Sequence, residues 1–200
     1  MLLRLLYSLP FLSLALSLGM ASMPANAGNP DETPPGLFMV GMGLSADFSN
    51  YDDAFPGGDL SRDDGIRAYA GLVPAEWFRL RAGLRTWGEQ TVDGRGYEAS
   101  LYVTGRFIDA DLLAPVSERF LLGVTVGTTH WDAEQSLDIG VTTLTDLSGS
   151  DPYYGARMRI SPPGERLSME LFVTRLTLRA SALRRDVDIT SLGVDLNVRF

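Results

Sequence analysis

The chain has 200 residues, no cysteine and no lysine, and its 17 arginines face 25 acidic residues for a net charge of −8. That balance argues against nucleic-acid binding. The lack of cysteine excludes both a disulfide framework and a lipid attached through a cysteine, and the length suits one domain.

Residues 1–27 have the form of a secretory signal: Arg4, an apolar run from Leu5 to Leu18, then Ala25-Asn26-Ala27 before Gly28. The run is shorter than a bilayer requires and contains Pro10, which counts against an anchoring helix. Residues 28–35 are polar and proline-rich and read as a flexible leader, so residues 36–200 are expected to form the ordered domain.

From there alternation of period two dominates. Its apolar sets are Phe38, Val40, Met42 and Leu44; Ile66, Ala68, Ala70 and Leu72; Phe78, Leu80, Ala82 and Leu84; and Leu101, Val103 and Phe107. They continue with Phe120, Leu122, Val124 and Val126; Tyr154, Ala156, Met158 and Ile160; Leu167, Met169, Leu171 and Val173; and Leu192, Val194, Leu196, Val198 and Phe200. The seventh set slips phase at Leu176 and Leu178, which suggests a bulge or an early end to the membrane-facing part. Long polar connections are expected at 49–63, 87–96 and 131–152, with short turns at 74–76 and 162–165; a lower turn at 109–118 is longer, and an outer loop at 179–186 shorter, than this pattern requires. This asymmetry is that of an outer-membrane barrel. The expected fold is all-β: an eight-stranded antiparallel transmembrane up-and-down barrel. A soluble lipocalin-like binding barrel, which alternates in the same way, is the competing architecture.

The last strand, with its apolar row Val194, Leu196, Val198 and Phe200, resembles the ending of OmpA-like and OmpX-like small outer-membrane barrels. Asp151-Pro152-Tyr153-Tyr154-Gly155 resembles the tyrosine-glycine entry to a late strand of that family. The resemblance implies a monomeric protein of the Gram-negative outer membrane, exported through the periplasm and surrounded by outer-membrane lipid and lipopolysaccharide. It also implies that the terminal row is the signal read by the barrel-assembly machinery. Function follows from it hardly at all.

With the apolar sets toward lipid, the interior is expected to hold Asp47, Arg67, Arg79, Arg81, Arg85, Glu98, Arg106, Arg157, Arg159, Glu170, Asp195 and Arg199. An eight-stranded barrel has room only for side chains. A packed plug of paired arginines and carboxylates is therefore expected, with a narrow anion-selective channel as the alternative. Arginines outnumber acids in this set, and unpaired buried charge is costly; Tyr69 and Tyr102 are candidates to share the load. The absence of lysine suits fixed guanidinium networks, or reflects genomic composition.

His130 is the sole histidine. A lipid A-modifying barrel enzyme would be built around it, but its setting matches neither a deacylase nor a palmitoyltransferase pattern, and catalysis is not expected. The acidic segments, Asp52, Asp53, Asp59, Asp63 and Asp64 and then Asp132, Glu134, Asp138, Asp146 and Asp151, lack calcium-loop spacing, so no metal or cofactor is expected. Trp77, Phe78 and Phe120 below and Trp87, Tyr97 and Trp131 above are expected to form two aromatic girdles.

Overall fold

A computed structural model describes residues 37–55, 57–117, 119–160, 166–179 and 186–200. The expected signal peptide, the leader and the turn at 162–165 lie outside the described residues. Strands β1 (Phe38–Ser49), β2 (Asp59–Arg62), β3 (Asp64–Ala75), β4 (Phe78–Gly94) and β5 (Tyr97–Pro115) are followed by β6 (Phe120–Asp138), β7 (Thr142–Ile160), β8 (Leu167–Leu178) and β9 (Val187–Arg199). All pairings are antiparallel; β2 apart, each strand pairs with the next along the chain, and β1 closes on β9, so eight strands form a ring. The short β2 lies outside the ring and pairs with β4 alone.

At the seam Phe200 N donates to Phe38 O at 2.9 Å, and Phe38 N donates back to Phe200 O at 3.3 Å. The terminal row Val194, Leu196, Val198 and Phe200 points outward there, level with the apolar residues of β1.

The segments expected as long loops at 87–96 and 131–152 are strand instead. β4 and β5 meet in a tight turn at Gly96 (φ 83°), and β6 and β7 meet at Gly140 (φ 92°). Both glycines sit in the left-handed region, where a Cβ is strained. A bulge occurs in β4, between Trp87 and Gln90, so that Trp87, Gln90 and Val92 all face inward. Of the two expected causes of the phase slip in β8, the bulge is absent and the early end of the membrane-facing part fits: the pairing is unbroken and the alternation continues, with Thr174, Leu176 and Leu178 all inward.

The barrel has two zones of opposite polarity. In the lower zone the outer face is apolar, as with Met42, Leu44, Ile66, Ile108, Leu122, Val124, Val126 and Leu196, and the inner face is charged. The outward apolar rows span from seven residues, as in Ile66–Leu72 and Leu167–Val173, to nine in Leu192–Phe200, close to the roughly 9–11 residues of a tilted transmembrane strand. In the upper zone the faces exchange roles. Leu101, Val103, Trp131, Ala133, Leu147, Leu176, Leu178, Val187 and Ile189 are buried within, roofed by Tyr51 and Phe55 from a short helical turn at Tyr51–Ala54. Outside lie Tyr102, Asp132, Asp138, Asp146 and Ser148.

This inversion corrects the expected phase of β5. Leu101, Val103 and Phe107 face inward, while Glu98, Tyr102 and Arg106 face outward and are exposed. Glu98 and Arg106 are therefore not interior charges, and Tyr102 is not an interior hydroxyl. Trp87 and Trp131 likewise leave the expected upper girdle for the interior, and Tyr97 packs on Phe55 with ring centroids 6.0 Å apart. A large aromatic on a strand above the bilayer gains most by turning away from water.

Candidate functional site in the barrel interior

The lower interior is filled by Arg67, Arg79, Arg81, Arg85, Arg157, Arg159 and Arg199 together with Asp47, Asp109, Asp111, Glu170 and Asp195, all buried. Asp109 and Asp111 are the residues that sequence reasoning missed, because it assigned them to a turn. They supply the carboxylates that the expected set lacked. A signal for them exists: Ile108-Asp109-Ala110-Asp111-Leu112 alternates with apolar residues at even numbers, the opposite parity to Leu101, Val103 and Phe107.

Arg81 is the centre. Its Nε and Nη2 donate to the two oxygens of Asp109 at 2.9 and 2.8 Å, and Nη2 also reaches Asp111 at 2.9 Å. Arg79 pairs with Glu170 and lies 2.9 Å from Asp111. Arg157 bridges Asp111 at 3.0 Å and Asp195 at 3.2 Å. Arg67 pairs with Asp195 through two donors, Nε at 2.7 Å, and stacks 3.4 Å over the Phe172 ring. Planar two-donor forks suit carboxylates as lysine would not. Tyr69 donates to Asp195 at 2.8 Å and Tyr153 to Asp109 at 2.6 Å, so hydroxyls add to the donors around these two carboxylates.

Small residues make the room. A Cβ on Gly43 would stand 2.0 Å from Asp195 Oδ1, and one on Gly193 would stand 2.4 Å from the Phe172 ring. Higher up, Arg85 reaches Asp47 at 3.1 Å and stacks 4.9 Å from Trp87, where the charged layer meets the apolar one. A void at this junction, bordered by Arg67, Arg85, Trp87, Phe107 and Tyr153, measures about 10 Å³, room for a single water.

His130 is elsewhere. It faces outward on β6, beside Arg106 and Ser150 by register, with Nδ1 2.9 Å from Ser150 Oγ. Above it, Asp59, Asp93, Glu98 and Asp138 stand abreast across β2, β4, β5 and β6. Adjacent like charges destabilise a ladder unless water screens them, which sets this row outside the bilayer. Among the described residues no group of His, Cys, Asp or Glu converges as metal ligands would. Also outside the bilayer, burial in the cap raises the Tyr51 phenol above its ordinary value of 10.0, opposed by the hydrogen bond from Gln135.

Among solved structures, Neisserial surface protein A superposes with a TM-score of 0.52 at 12% identity, over 84% of this chain and 100% of that one. Ail, the attachment invasion locus protein of Yersinia pestis, superposes at 0.50 with 13% identity, over 82% and 99%. Likeness at such identity establishes the fold, which is that of the small eight-stranded transmembrane β-barrels. No protein-family model matches the chain, and no curated protein matches it in sequence.

Proposed function

We propose that this protein is a non-catalytic, monomeric barrel of the Gram-negative outer membrane, exported through the periplasm. Its plugged lumen conducts no steady current, and its raised β-sheet serves a structural or interaction role at the cell surface. The observation that carries this reading is the inversion of polarity along the strands. An apolar outer band gives way upward to an acidic outer face over an apolar core, which is how a strand passes from lipid into water without losing its fold.

The support for closure is the unbroken sequence of interior side chains, from Arg199 through Arg81 and Arg85 to Trp131 and Ile189. For the surface role, the β6–β7 hairpin carries exposed Ile139, Val141 and Leu144 at its tip, well above the apolar band. Such a cluster of aliphatic side chains in water marks a contact surface. At the upper edge of the band Arg106 and Arg175 point outward, suited to the phosphates of lipopolysaccharide. The outward row ending at Phe200 serves as the assembly signal at the closing seam.

The lipid-modifying alternative has the His130–Ser150 contact in its favour, but among the described residues no carboxylate hydrogen-bonds to that ring to orient it. The purified protein in planar bilayers is expected to give no stable conductance steps. Steady ohmic channels whose selectivity changes with Arg81→Gln would replace this reading with the channel.

A further inference from the structure

Among the described residues, the lower mouth of the barrel holds more donors than acceptors. Ser168 on β8 stands directly opposite Asn197 on β9, and Arg199 follows two residues along on the same inner face. All three residues are more than nine-tenths buried, and Ser168 Oγ, Asn197 Nδ2 and Arg199 Nε have no hydrogen-bond partner among the described residues. A buried donor without an acceptor costs about 1–3 kcal/mol, so three in adjacent positions form an arrangement that an acceptor would relieve.

Charge points the same way. Arg199 Nη1 donates to Glu76 Oε1 at 2.7 Å, and Arg159 Nη1 lies 3.7 Å from Glu76 Oε2. Glu76 belongs to the turn between β3 and β4, and its side chain is 54% exposed. It is held from outside the mouth, whereas the carboxylates of the central lattice are fully enclosed.

We propose that this mouth binds a small oxyanion, phosphate or carboxylate. Arg199, with Arg159 beside it, supplies the charge; Ser168 and Asn197 supply neutral donors; and Glu76 is the internal carboxylate that the anion displaces. The inference is independent of the surface role, since it uses only the opposite end of the barrel.

The test is calorimetric titration of the full chain in detergent micelles with inorganic phosphate, and separately with acetate, at constant ionic strength set by chloride. Saturable phosphate binding supports the site, and saturation by acetate alone supports it with a carboxylate as the ligand. Glu76→Gln is expected to tighten binding about tenfold by removing the competitor, equivalent to roughly 1.4 kcal/mol. Ser168→Ala is expected to weaken it several-fold, and Arg199→Gln to abolish it in protein that keeps its heat-modifiable mobility. If neither anion saturates the wild type or Glu76→Gln, the proposal is wrong. It is equally wrong if Arg199→Gln leaves affinity unchanged. Should Arg199→Gln fail to fold, an affinity unaltered by Ser168→Ala overturns it instead.

Discussion

The same strands build two interiors. Below, β4, β5, β7, β8 and β9 turn arginines and carboxylates inward; above, the same strands with β6 turn Trp87, Leu101, Trp131, Leu147, Leu176 and Ile189 inward. The difference follows from what lies outside. Where lipid wets the outer face, apolar side chains gain nothing by turning in, and the interior is left to polar groups that must satisfy one another. Where water wets it, the hydrophobic effect acts as in a soluble protein and draws the apolar residues inside. The boundary runs at one height: between Phe107 and Ile108 on β5, between Val126 and Trp131 on β6, and between Ile189 and Leu192 on β9.

The strongest way to break the comparison is to damage one zone and observe the other. Arg81→Ala leaves Asp109 and Asp111 short of their main partner, and breaking a buried ion pair costs about 3–5 kcal/mol. Trp131→Ala opens a cavity of similar cost, about 3–5 kcal/mol, and frees Asp151 of the indole donor at 2.9 Å. Arg81→Ala is expected to lower the urea midpoint of the whole barrel. Trp131→Ala is expected to admit proteases between 97 and 150 while the lower barrel keeps its heat-modifiable mobility.

A somewhat smaller effect isolates the outer faces on a single strand. Val124 and Glu134 both point outward on β6, one in the apolar band and one above it. Val124→Arg is expected to cost about 2–4 kcal/mol near the membrane midplane. Glu134→Arg is expected to stay within about 0.5 kcal/mol. Equal costs, measured by unfolding in liposomes, would erase the boundary.

Much of this was legible in the sequence, and the part that was not has one physical cause. Alternation gives the two faces of a strand but not which of them meets water, and, except at the slip in β8, a single polarity from end to end is the reading it suggests. For strands such as β1, β3 and the lower part of β4 that assumption holds, so Met42, Leu44 and Ile66 face outward as the alternation suggests. It fails on β5, a strand of 19 residues that passes out of the bilayer. There Leu101, Val103 and Phe107 form the inner row, Arg106 and Glu98 fall outside, and Asp109 and Asp111 lie within the strand, not in a turn. The slip from Val173 to Leu176 on β8 is the same crossing seen from another strand. Trp87 and Trp131 were misplaced because an aromatic near a strand end suits a girdle and a buried cap equally well.

Two finer predictions concern the upper zone. Tyr51 donates to Ser100 O at 3.3 Å and accepts from Gln135 Nε2 at 3.1 Å. Its phenol is raised by burial, so the unfolded tyrosine ionises first. Cap stability is therefore complete below about pH 10, the unfolded value, and falls as pH rises toward the higher folded value. Tyr51→Phe is expected to cost about 1 kcal/mol at neutral pH and to remove that alkaline slope, read from tryptophan fluorescence. The smallest effect is His130→Ala, expected within about 0.5 kcal/mol and with lipid A unchanged by mass spectrometry. A lipid A difference dependent on His130 would revive the enzyme.

The polarity inversion is tested most directly on β5, and the absence of native cysteine makes the experiment clean. Single cysteines at Leu101, Tyr102, Phe107 and Ile108 carry a nitroxide in liposome-embedded protein, and collision rates are read with oxygen, which partitions into lipid, and with a water-soluble nickel chelate. The account predicts that Ile108→Cys responds to oxygen, Tyr102→Cys responds to nickel, and Leu101→Cys and Phe107→Cys respond weakly to both. Oxygen sensitivity at Leu101→Cys and Phe107→Cys, with Ile108→Cys shielded, would contradict it.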